Sequence, residues 1–110
     1  MTLGQLRDLA VVVGFPDPDL AAAIAMAESS GNPLAVNLGT PANPEHSVGL
    51  WQINVLAHPE FDPVSLGDPL TNAHAAMTLS HGGANWAPWS TFTTTDPSRS
   101  YKRFMPTGVS

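Results

Sequence analysis

The sequence predicts a mainly α-helical fold, and three observations carry that prediction. Aspartate precedes proline four times, at Asp17-Pro18, Asp62-Pro63, Asp68-Pro69 and Asp96-Pro97. Aspartate is a good N-cap and proline is favoured at the first helical position, so each pair reads as a helix start. Apolar residues recur at helical spacing between these signals. No segment shows sustained alternation of apolar and polar residues, which argues against a large sheet.

The first helix is expected over Leu3–Val13. Thr2 and Gln5 have capping-box spacing, Leu3, Leu6, Leu9, Ala10 and Val13 form the apolar stripe, and Gly14 ends it. A second helix runs from Pro18 to about Ser30, capped by Asp17 and closed by Gly31, with Pro33 beyond. Residues 32–47 are rich in Asn, Pro and Gly and read as a long loop, of a length that is often functional. Gly49–Ala57 reads as a short helical segment ended by His58-Pro59. The clearest helix is Pro69–His81, capped by Asp68 and stopped by Gly82-Gly83. A last short helix is expected over Pro97–Met105.

Composition narrows the function. The chain has 110 residues, enough for one domain over 1–110 with its own core. Apolar residues make up 43%, which argues against disorder, and no apolar run is long enough to span a membrane. The formal charge is −5, and residues 1–98 hold nine acids against one base. That surface repels a nucleic-acid backbone, so neither nucleic acid nor membrane is an expected partner. The absence of cysteine excludes disulfides, thiol catalysis and thiolate metal sites. His74 and His81 share a helical face, but no third ligand has a coherent spacing, so no metal or cofactor is expected. The apolar run Leu9–Phe15 follows Asp8 and lacks a basic leader, so no signal peptide is read in this chain.

Glu28 stands out. Leu20, Ile24 and Glu28 are four residues apart, so a core-facing stripe ends in a carboxyl group. Burial disfavours its charged form, and so does the negative end of a helix. Both raise the pKa, as a general acid working near neutral pH requires. The alternative is a Glu at the rim of the core with its head in water.

The neighbouring residues extend this reading. Glu28-Ser29-Ser30-Gly31-Asn32-Pro33 is followed by Gly49-Leu50-Trp51-Gln52-Ile53-Asn54, then Asp68-Pro69-Leu-Thr-Asn72-Ala, then Trp86-Ala-Pro-Trp89. In order and spacing this resembles the lysozyme-like, soluble lytic transglycosylase family, in a compact phage-type branch related to goose-type lysozymes. The resemblance covers residues 20–92. It implies a small lysozyme-like helical domain, with the long loop bordering a substrate groove. It also implies cleavage of the β-1,4 bond between N-acetylmuramic acid and N-acetylglucosamine in peptidoglycan. By resemblance Glu28 is the catalytic acid, and the Ser29 hydroxyl helps hold the carboxyl group or the substrate. Gln52 lines the sugar groove, Gly49 lets backbone approach the sugar, and Asn72 is structural.

Two departures bear on mechanism. The Tyr-Asn-Ala-Gly segment of many transglycosylases is missing, and Tyr101 is the chain's sole tyrosine. Asn54 stands where goose-type enzymes have Asp, and an amide cannot act as a base. Glycosidases ordinarily use two carboxyl groups. Glu45, in the long loop, is the candidate for a second one, against the alternative of a solvated loop residue. Asp68 is better explained as a helix cap. Trp86 and Trp89 are candidate sugar platforms, the alternative being core residues; the Gly-Gly turn before them and the proline between them favour partial exposure of at least one. With Glu28 as the central acid, the expectation is a lytic transglycosylase with a 1,6-anhydro product. Muramidase hydrolysis on the same fold, or a non-catalytic glycan-binding or phage-tail module, are the alternatives. The expected partner is the peptidoglycan strand. The chain is expected to act at the cell wall as a phage virion or lysis protein or a secreted one, as a monomer or as part of a larger protein.

Overall fold

The computed structural model describes residues 1–106. Helix α1 spans Leu3–Val13 and α2 spans Pro18–Ser29. Strands β1 (Val36–Gly39), β2 (Pro44–Val48) and β3 (Ile53–Asn54) follow. A 3₁₀ turn at Ser65–Gly67 leads into α3 (Pro69–Leu79). A single turn of helix, α4 (Ser90–Thr93), and a 3₁₀ turn at Tyr101–Phe104 complete the order. The fold is mainly α, with one small antiparallel sheet in the order β1-β2-β3.

The helix starts obey their caps. Thr2 accepts from the Gln5 N–H while the Gln5 side chain accepts from the Thr2 N–H, a complete capping box, and Gly14 closes α1 in the left-handed conformation. Asp17 accepts from Leu20 N–H and Asp68 from Thr71 N–H, each with proline next. The other two Asp-Pro pairs start no α-helix. Asp62 caps Val64 and Ser65 ahead of the 3₁₀ turn, and Asp96 caps Ser98 within an isolated turn. The expected helix over Pro97–Met105 is therefore reduced to Tyr101–Phe104, with Ser100 as its cap.

Two other expectations are corrected. Residues 32–47 contain a hairpin, β1 paired with β2, in which Val36 faces Val48 and Asn37 faces Ser47. Every residue of β1 is exposed, so its sequence has no buried face to impose alternation. Gly49–Ala57 is a tight turn followed by β3, not a helix. Gly49 has φ 81° and Gln52 φ 51°, left-handed positions that a continuous α-helix cannot contain. The turn buries Leu50, Trp51 and Ile53 all the same, which is why the segment is apolar.

Helix α2 is the central element. Ala21, Ala22, Ala23, Ile24 and Ala25 are all buried, so the helix is enclosed on nearly every side, and its small side chains let α1, α4 and the C-terminal 3₁₀ turn pack closely. Trp51 joins it to the rest. The Trp51 indole N–H donates to the Ala21 carbonyl of α2 at 3.1 Å, and its ring stacks with Phe15 at 5.8 Å. Trp86 packs on Phe15 and on Trp89, and the Trp89 indole donates to the Trp51 carbonyl at 2.8 Å.

Asn72, on α3, is fully buried and holds the turn that presents Trp51. Its Oδ1 accepts from Trp51 N–H at 2.8 Å, and its Nδ2 donates to the carbonyls of Val48 (2.8 Å) and Leu66 (3.0 Å). Truncating this amide strands a buried N–H and two buried carbonyls together. We expect Asn72→Ala to lower the unfolding free energy by about 3 kcal/mol or more, since each buried polar group left unpaired costs ~1–3 kcal/mol. Urea denaturation measures this; a loss below ~1 kcal/mol would mean that solvent replaces the amide and that the turn does not depend on it.

Candidate active site

A cleft of about 220 Å³ opens between the end of α2, the sheet and the segment leading into α4. This is smaller than the ~300–1,000 Å³ of pockets that enclose a whole small ligand, so the cleft suits one part of something longer. Glu28, Leu79 and Ser90 line it from the helices; Glu45, Ser47, Ile53 and Asn54 line it from the sheet; Gln52, His58, Pro88 and Trp89 complete it.

Glu28 sits in the last turn of α2, half-buried, on the same face as the fully buried Ile24. Its Oε2 accepts a hydrogen bond from the Thr91 hydroxyl at 2.7 Å. Burial pushes the carboxyl pKa above its ordinary value. The Thr91 hydroxyl and backbone N–H pull it down, Glu45 pushes it up by repulsion, and Arg99 pulls it down; burial prevails. The capping aspartates behave oppositely. Asp62, Asp68 and Asp96 are held below their ordinary values by the hydroxyl and N–H groups they cap. Among these acids, Glu28 alone has its pKa raised rather than lowered.

The structure brings together Glu28, Glu45, Gln52, Asn54 and Trp89 from the expected set. Glu45 is no free loop residue: it lies on β2, and its Oε2 accepts from the Ser47 hydroxyl at 2.5 Å. Gln52 donates its Nε2 to the Ala35 and Gly49 carbonyls, both at 3.0 Å, so its Oε1 has no partner among the described residues. Asn54 lines the cleft and uses its Oδ1 to accept from the His46 and Leu56 N–H groups, fixing β3 beside β2.

Three expected residues have other neighbours. The Ser29 hydroxyl donates to the Ala25 carbonyl and accepts from Gly31 N–H; it secures the end of α2 rather than the Glu28 carboxyl group. At Gly49 a Cβ would collide with the Asn72 amide and the Leu66 carbonyl, so this glycine makes room for Asn72. Trp86 lies outside the cleft in the aromatic cluster. Neither tryptophan is the partly exposed platform expected: Trp86 is 4% exposed and Trp89, which lines the cleft, 6%. The two rings pack edge-to-face at 4.9 Å, and Trp86 also packs on Phe15, within the buried core.

Thr91 escaped the sequence reading. It lies 63 residues from Glu28 on a four-residue helix, too short to show a period, and no capping signal precedes it.

Residues 7–91 match the family of lysozyme-like domains. The chain belongs to that family. The lysozyme-like match covers the cleft from α2 to Thr91 and agrees with the small, mainly α fold. Neither the curated proteins nor the solved structures give a significant match. Peptidoglycan-glycosidase activity is the general activity that goes with a lysozyme-like domain.

The raised pKa of Glu28 has a consequence for stability. The native state binds this proton more tightly than the unfolded chain does, so the group costs stability as pH rises through the ordinary Glu range, and the cost is complete above the folded-state pKa. Glu28→Gln removes this cost and keeps an oxygen for Thr91. Urea denaturation from acid to neutral pH should find the variant equal to wild type at acid pH and more stable at neutral pH. A variant less stable at neutral pH would show that ionised Glu28 is favourably held, contrary to the burial argument.

Proposed function

We propose that the chain is a lytic transglycosylase that cleaves the β-1,4 bond between N-acetylmuramic acid and N-acetylglucosamine, with Glu28 as the general acid and then the base. The observation that carries this reading is the Glu28 carboxyl group: half-buried, with a raised pKa, and facing the cleft. Its proton passes to the glycosidic oxygen as the bond from that oxygen to C1 breaks. The substrate's N-acetyl oxygen stabilises the cation developing at C1. The 6-hydroxyl of the same sugar then attacks C1 and returns its proton to Glu28, closing a 1,6-anhydro ring. No water is consumed, and the carboxyl group ends as it began. Gln52 Oε1 and the Asn54 amide nitrogen supply an acceptor and a donor for sugar amides and hydroxyls.

Hydrolysis on the same site is the second reading, and Glu45 is the observation that favours it. A second carboxylate in the cleft can serve as base or nucleophile, as in muramidases. Either chemistry would put the protein to work at the bacterial cell wall, as a phage or a secreted component.

Two variants separate the readings. Glu28→Gln should fold and lose ~10²–10⁴-fold in muropeptide release from purified sacculi, the range for general acid–base groups. Glu45→Gln should keep most of the activity if the sugar supplies its own nucleophile, and should fall as far as Glu28→Gln if Glu45 activates water. Full activity in Glu28→Gln would remove Glu28 from the chemistry under both readings, and wall binding without release in wild type would leave a glycan-binding module.

A further inference from the structure

We propose that Thr91 is the positioning residue for Glu28: by holding Oε2, its hydroxyl confines the transferable proton to Oε1 and sets the pH range over which Glu28 serves as an acid. This rests on the role given to Glu28 above.

The geometry begins at Trp89. Its indole N–H is tied to the Trp51 carbonyl at 2.8 Å, which fixes the start of α4. Thr91 follows two residues later and is 6% exposed, and its branched side chain has few rotamers to choose from. Its hydroxyl donates to Glu28 Oε2 at 2.7 Å, the one side-chain hydrogen bond that Glu28 makes among the described residues. No buried side-chain oxygen lacks a partner among those residues, so Glu28 Oε1, which no other side chain bonds, is accessible, and its residue lines the cleft. A protonated carboxyl group donates from one oxygen and accepts at the other. With Oε2 accepting from Thr91, the proton belongs on Oε1, on the side where a glycosidic oxygen would lie.

The same bond opposes burial. A hydroxyl donating to a carboxylate favours the ionised form, so Thr91 keeps Glu28 from holding its proton too tightly to return as a base. The other charged groups acting on Glu28 are Glu45 from β2 and Arg99 from the segment before the last 3₁₀ turn; His58 lines the same cleft. None of them makes a hydrogen bond to the Glu28 carboxyl group. Thr91 therefore acts on it directly, while Glu45 and Arg99 act through space.

The test pairs a direct titration with a pH–rate profile, in wild type, Thr91→Val and Thr91→Ser. Valine keeps the branched shape without the donor, serine keeps the donor, and Thr91→Ala replaces the valine variant should that one fail to fold. The carbon NMR signal of the Glu28 carboxyl group reports its titration midpoint without reference to activity. In Thr91→Val the midpoint should rise by about one pH unit, the order expected for losing a hydrogen bond to a charged group. The alkaline limb of kcat/KM for muropeptide release should move up with it. Thr91→Ser should restore both. A midpoint that stays put in Thr91→Val overturns the proposal. A midpoint that moves while the alkaline limb does not overturns the role of Glu28 as the acid, and with it the role of Thr91 in the reaction. Loss of Glu28→Gln activity in the same assay separates the two failures.

Discussion

The buried amide of Asn72 is the constraint on which the rest of the structure depends. One side chain satisfies the backbone at three places distant in sequence: Val48 at the end of β2, Trp51 in the following turn, and Leu66 in the 3₁₀ turn before α3. Gly49 is needed because any side chain there would occupy the amide's position. With the turn fixed, the Trp51 indole reaches α2 and the Trp51 carbonyl receives Trp89. Trp89 then sets α4, and α4 sets Thr91 against Glu28. The Glu28 carboxyl group is thus positioned from both sides, by its own helix and by a relay of hydrogen bonds that starts on another.

Such a relay has a thermodynamic counterpart. The capping aspartates hold their charge with the help of hydroxyl and N–H donors, which favours folding above the acid range. Glu28 has comparable donors but is buried where the aspartates are exposed, and its proton affinity is raised at the expense of stability. A group held this way persists only in a framework that fixes its surroundings, and the aromatic cluster of Phe15, Trp51, Trp86 and Trp89 is that framework. The three tryptophans are buried in the core, and Trp89 alone of them reaches the cleft.

Much of this was legible in the sequence because it is local. The capping box at Thr2, the Asp-Pro pairs before α2 and α3, and the glycine after α1 act over a few residues and specify their helices directly. The position of Glu28 on its apolar stripe followed from helical phase. What the sequence did not show depends on contacts between distant segments. The hairpin hides because β1 is exposed on both faces and carries no alternation. The segment after Gly49 is apolar like a helix but turns at Gln52, whose left-handed conformation no residue type announces. Ser29 and Gly49 belong to the motifs that carry the family resemblance, yet Ser29 is engaged with the backbone at the end of α2 and Gly49 lies against Asn72. Thr91 meets Glu28 only through tertiary packing. Motif position anticipated five of the residues that line the cleft; the hydrogen bonds of each were decided by what lay across the fold.

The central claim is that a single buried acid breaks the glycosidic bond while the substrate supplies its own nucleophile. Digestion of purified sacculi in water enriched in oxygen-18, followed by mass spectrometry of the released muropeptides, tests it most directly. Transglycosylation closes a 1,6-anhydro ring without water, so the new muramic ends should carry no label and lack the mass of one water. Labelled reducing ends would contradict the account and assign the activation of water to the cleft, with Glu45 as the group to do it.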